Sequence, residues 1–145
     1  MDNMECVEVN IPSNLIFERV VRASAAEIAE ALDFPAERIE DLKLAISEAV
    51  TNAIEHGNEG MPGKLVAIEF RVDQQHLEVH IADQGTGAES VDTSRKVVDE
   101  HNLEEGMLRG FGMYLIGALV DDWEVDSSKE GTSIRLRFYR EVKSE

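Results

Sequence analysis

One cysteine, Cys6, stands in the whole chain, so no internal disulfide can form, which fits a reducing compartment. No apolar run approaches the roughly 20 residues that a bilayer-spanning helix needs, so no membrane span is expected. The opening MDNMECVEVNIP carries neither a basic region nor an apolar signal core, and the expectation is an unexported, cytoplasmic protein. Basic residues are scarce: 14 Lys and Arg face 30 Asp and Glu, a net charge of −16. That balance speaks against nucleic acid as a partner, because phosphate backbones call for basic surface. It also means that an anionic ligand needs an intervening cation. The acidic excess reads either as a solubilising surface or as a docking face for a basic partner. With no repeat, low-complexity stretch or linker, the 145 residues suit a single domain, 1–145, with its own core.

What is there alternates in a regular way. Val7, Val9 and Ile11 alternate with polar neighbours, as on a first strand. Pro12 and Ser13 then open a helix in which Phe17, Val20, Val21, Ser24, Ile28, Ala31 and Leu32 recur at helical spacing. DFPAE breaks it and starts a second helix, with Pro35 near the first turn, which runs to about His56 and stops at Gly57. Val66, Ile68, Phe70 and Val72 mark a strand, and Leu77, Val79 and Ile81 mark its hairpin partner. From Gly85 to Arg109 the apolar period fades. Gly112 to Val120 reads as a short apolar helix, and WEVDS and TSIRLRFY close the chain as two strands. This order implies an α+β two-layer sandwich, a mixed and mostly antiparallel sheet with helices on one face.

Four stretches are candidates for chemistry. In AISEAVTNAIEHGNEG, Leu42, Ile46, Ala49, Val50 and Ala53 of the helix share one side. Glu48 and Asn52 lie together at its flank, one turn apart and able to reach one small volume. Such a pair can also be an ordinary solvated edge. In IADQGTG, Asp83 has the strand parity of Leu77, Val79 and Ile81 and points to the covered face, where a lone carboxylate is costly without a donor. Gly85 and Gly87 let the backbone turn tightly, whether for a flat ligand or for a simple strand-ending turn. In LRGFGMYLIG, Gly110 and Gly112 precede a helix start, with Arg109 as the adjacent cation. The spacing matches neither a P-loop nor a dinucleotide fingerprint. In EGTSIRL, Thr132 shares parity with Ile134 and Leu136 and faces the same side as Asp83. His56, His76, His80 and His101 form no metal-ligand spacing. Taken in this order, the four stretches describe one nucleotide pocket.

At this point the chain resembles the GHKL (Bergerat) ATP-binding fold of gyrases and histidine kinases, and within it the small bacterial anti-sigma factor serine/threonine kinases. EAVTNAIEHG is similar to the first box of that family, DQGTG to the second, RGFGMYLI (with Gly110, Gly112 and Leu115) to the third, and EGT to the last. The resemblance covers roughly residues 7 to 139 and implies the following roles. Asp83 accepts from the adenine amino group, and Thr132 supports that contact. Gly85 and Gly87 let the base approach. Asn52 holds Mg²⁺ against the phosphates of ATP, which answers the charge problem. Gly110 and Gly112 present amides to the phosphates, Arg109 faces the γ-phosphate, and residues 88–109 form an ATP lid. Glu48 is the general base. The implied partners are a sigma factor, an anti-anti-sigma (STAS-type) protein carrying the acceptor serine, and a second copy of the chain, with the first strand and first helix as candidates for the dimer face. Two other activities are compatible with the same boxes: a nucleotide-binding partner switch that moves no phosphate, and a detached histidine-kinase catalytic domain. The first helix, which lacks histidine from Phe17 to Leu32, speaks against the latter.

Overall fold

Alternation builds the sheet. Val66, Ile68 and Phe70 on β2 (Leu65–Val72) and Leu77, Val79 and Ile81 on β3 (His76–Ala82) are all buried on one face. Ile134, Leu136 and Phe138 of β5 (Gly131–Tyr139) join them there. β1 (Glu5–Pro12) adds Ile11, and β4 (Asp122–Ser128) adds the half-buried Trp123 and Val125. The computed structural model describes residues 4–84, 114–128 and 131–140. Its five strands run in the order β1-β2-β3-β5-β4. The sheet expected to be mixed and mostly antiparallel is antiparallel at each of its four described pairings.

Two helices cover the apolar face. In α2 (Ala36–Asn52), Ile39, Leu42, Ala45, Ile46, Ala49 and Val50 are buried, the stripe that the helical period predicts. Fully burying one such Leu or Ile contributes about 1.5–3 kcal/mol. α1 (Glu18–Ala31) follows a 3₁₀ turn at Leu15–Phe17, whose first free amide, that of Ile16, is capped by the Asn14 side chain at 3.0 Å. Its buried face is Val21, Ala25 and Ala29, whereas Phe17 and Val20 are exposed. The apolar period of this helix is therefore shared between the core and a surface. Ser13 does not open the helix; its Oγ donates to the Lys64 carbonyl at 2.7 Å. A helical segment at 114–119 (α3) buries Ile116. A Cβ at Gly117 of α3 would lie 3.2 Å from Nε1 of Trp123, so this helix is seated directly on the indole.

The open face of the sheet carries Glu69, Arg71, His76, Glu78, His80, Arg135 and Arg137, and Cys6 lies free and exposed on β1. Glu78 is only 6% exposed despite its outward parity. Arg137 Nε donates to its Oε2 at 2.8 Å, and His80 Nε2 lies 3.0 Å from its Oε1. Burial alone pushes this carboxyl up. The hydrogen bonds from His80 and Arg137, with their charges, override that and bring it down from 4.5 to about 2. A depressed carboxylate adds stability that is complete above its unfolded value and is lost as pH falls toward its folded one. Glu78 is therefore expected to contribute roughly 3 kcal/mol at neutral pH that disappears between about pH 4.5 and 2. Chemical denaturation across that range checks this: the Glu78→Gln protein is expected to show a flatter acid limb than the wild type.

Candidate functional site

The end of α2 does not close as a plain α-helix. After Asn52, its last residue, the chain continues into a π-turn over Ala53–Gly57, in which the Asn58 N–H reaches back to the Ala53 carbonyl at 2.8 Å. Such insertions are frequent at functional positions. Glu48 and Asn52 are both half-buried at the flank of the core stripe, as the helical phase predicts. Glu48 has no hydrogen-bond or ion-pair partner among the described residues, so its carboxylate is not committed to a neighbour.

Asp83 follows the last residue of β3 and keeps the inward parity of the strand. Its N–H donates to the Thr132 carbonyl at 2.9 Å, and its Oδ1 accepts from the Thr132 N–H at 3.1 Å. The pairing of β3 with β5 is thus extended by one more residue pair, and the expected donor for the inward carboxylate is a backbone amide. The Thr132 hydroxyl lies 3.2 Å from the Ser127 hydroxyl of β4. Asp83 and Thr132, which sequence parity places on one face, are therefore in direct contact.

Two glycines make room for this arrangement. A Cβ on Gly57 would overlap Cγ and Oδ2 of Asp83, so the helix end and the carboxylate touch only because Gly57 has no side chain. Gly57, expected as the stop of this helix, is the last residue of its π-turn, and its missing side chain also permits this close approach. Gly131 has φ +139°, and a Cβ there would overlap the Asp83 carbonyl. Asn58, next to Gly57, is fully buried, and its side chain bonds three segments at once. Gly57 and Gly131 thus belong to the site, and Asn58 braces the scaffold behind it, although none was a candidate. The glycines sit inside the EHG and EGT stretches, but Asn58 has no sequence signal, since its burial depends on Ser13 and Leu65 folding over it.

Gly85, Gly87, Arg109, Gly110 and Gly112, with the rest of 88–109, lie outside the described residues. Leu115 is half-buried in α3. Among the described residues no group of three or more His, Cys, Asp or Glu is placed to hold a metal by itself. Among the described residues, the helix flank beside the site carries the side-chain oxygens of Asn52 and Glu48. That set suits Mg²⁺, which takes one or two protein ligands and completes its shell with substrate phosphates and water. No described helix is long and apolar enough to cross a membrane.

The arrangement has relatives. Residues 11–138 match the family model of the histidine kinase-like ATPase domain. The serine-protein kinase RsbW of Oceanobacillus iheyensis is 32% identical over 96% of this chain and 89% of its own length. The one from Bacillus pumilus is 31% identical over 94% and 88%. Among solved structures, the RsbU and RsbW domains of a Mycobacterium tuberculosis protein superpose with a TM-score of 0.66 at 19% identity. That alignment covers 92% of this chain and 32% of the other, and at such identity it speaks for the α+β fold alone. Together with the Asp83 corner and the interrupted helix end, these matches lead to one conclusion: the chain belongs to the family of histidine kinase-like ATPase domains and, within it, groups with the serine-protein kinases RsbW.

Proposed function

We propose that this protein is an ATP-dependent serine kinase that acts as an anti-sigma factor. It transfers the γ-phosphate of Mg-ATP to a serine of an anti-anti-sigma, STAS-type protein and otherwise sequesters a sigma factor. The observation that carries this reading is the contact between Asp83 and the end of the helix that bears Glu48 and Asn52. At 1.5 Å rise per residue, Glu48 lies about 13 Å along the helix from Gly57, where Asp83 rests. One extended ligand can therefore meet the carboxylate at its base end and the uncommitted acid at its phosphate end.

In this reading Asp83, braced by Thr132, accepts from the adenine amino group, and Gly85 and Gly87 admit the base. Asn52 is the protein ligand for Mg²⁺, which offsets phosphate charge next to a strongly acidic chain. Gly110 and Gly112 offer amides to the phosphates, Arg109 faces the γ-phosphate, and 88–109 is the lid. Glu48 takes the proton from the acceptor serine as its Oγ bonds to the γ-phosphorus. The bond from that phosphorus to the bridging oxygen breaks, and ADP leaves. The chain works as one domain over 1–145, in the cytoplasm. It pairs with a second copy through β1 and the start of α1. Support for that pairing comes from β1 lying at the sheet edge and from exposed Val7, Leu15, Ile16, Phe17 and Val20.

The test is ATP titration with and without Mg²⁺, alongside transfer of label from γ-labelled ATP to a STAS-type protein. Wild type is expected to bind ATP more tightly with Mg²⁺ and to place the label on serine. Asp83→Ala is expected to weaken ATP binding on the order of 100-fold, the loss of a hydrogen bond between the base and a charged group. Asn52→Ala is expected to remove the Mg²⁺ dependence. ATP binding that ignores both substitutions, with no label on any serine, overturns the reading.

A further inference from the structure

We infer that Asn58 is a positioning residue for base recognition: it sets the direction of the Asp83 side chain by holding the peptide that follows it. The inference rests on the nucleotide reading above. A side chain leaves its backbone along a direction fixed by the peptide planes on either side. The plane before Asp83 is held by its N–H on the Thr132 carbonyl at 2.9 Å. The plane after it is held by the Gln84 N–H, which donates to Asn58 Oδ1 at 2.7 Å.

Asn58 is itself anchored. Its Nδ2 donates to Ser13 Oγ at 2.8 Å and to the Leu65 carbonyl at 3.1 Å, and the residue is 0% exposed. Ser13 in turn donates to the Lys64 carbonyl at 2.7 Å. The Gln84 side chain closes the loop by accepting from the Leu65 N–H, also at 2.7 Å. An amide supplies acceptor and donors at once, and only such a group bridges an N–H of the corner to a hydroxyl and a carbonyl at the ends of β1 and β2. A core that only needed filling would take an apolar residue here, because a buried amide must find partners to be tolerated. The acceptor half of Asn58 faces the Asp83 corner and the donor half faces the scaffold.

Three substitutions and two measurements separate this role from packing. Asn58→Leu removes acceptor and donors. Asn58→Ser is too short to reach Gln84 and serves if the leucine form does not fold. Asn58→Asp keeps the acceptor. ATP affinity is measured by titration, and serine phosphorylation at saturating ATP. The leucine or serine form is expected to bind ATP tenfold or more weakly, with saturated turnover within about threefold of wild type, because Glu48 and Asn52 are untouched. The aspartate form keeps the acceptor but loses the donors to Ser13 and Leu65, and is expected to bind ATP more tightly than the leucine form and less tightly than wild type. A folded leucine or serine form that binds ATP within twofold of wild type overturns the inference. So does a folded aspartate form as impaired as the leucine one, since keeping an acceptor for the Gln84 N–H would then gain nothing. If the wild type itself binds no ATP, the nucleotide reading fails instead, which keeps the two failures apart.

Discussion

Replacing Glu48 with glutamine is expected to lower serine phosphorylation by roughly 10²–10⁴-fold, the usual contribution of a positioned general base. The change keeps the shape of the side chain and removes only its capacity to take a proton. Glu48 has no hydrogen-bond or ion-pair partner among the described residues, so the substitution breaks no scaffold contact. ATP affinity and thermal stability are therefore expected to stay near wild type, and the loss to appear in turnover alone. Label transfer at saturating Mg-ATP, with a parallel ATP titration, measures both. A glutamine form that still phosphorylates at the wild-type rate takes the proton acceptor away from this helix.

Adding a single methyl at Gly57 is the second large expectation. In Gly57→Ala the new Cβ would occupy the space of the Asp83 carboxylate, so Asp83 must turn away. ATP binding is expected to fall on the order of 100-fold, the loss of a charge-assisted hydrogen bond to the base. The fold itself is expected to survive, because alanine suits a helical turn better than glycine does. Gly60→Ala gives the opposite signature. Gly60 has φ +67° with open space around it, so alanine there is expected to cost about 1 kcal/mol of stability and leave ATP binding unchanged. Melting curves and ATP titrations on the two variants check the crossed pattern. Equal ATP affinity in wild type and Gly57→Ala means that the Asp83 carboxylate does not read the base.

Much of this was legible in the sequence because it is written in local periods. The alternation of Val66, Ile68 and Phe70, and of Leu77, Val79 and Ile81, places β2 and β3 and carries the inward parity on to Asp83. The same period puts Thr132 opposite it on β5. The helical stripe from Leu42 to Ala53 fixes the flank where Glu48 and Asn52 sit. What was not legible depends on contacts between distant segments. Phe17 and Val20 fit the helical period but are left outside the core, which only the placement of α1 against α2 decides. Glu78 has the parity of a solvent-facing residue, and it is buried by Arg137 and His80 reaching across from the same face. Gly57 reads as a helix stop, and the helical run does end there, but that Asp83, 26 positions later, lies on it shows only in the fold.

Trp123 is the chain's single indole, and it rests against Gly117 of the helix that comes directly after the glycine pair Gly110 and Gly112. The protein thus carries an intrinsic optical gauge beside that helix. Its emission is expected to follow a displacement of that helix without an attached dye, and a stopped-flow trace of the unlabelled chain against nucleotide checks it.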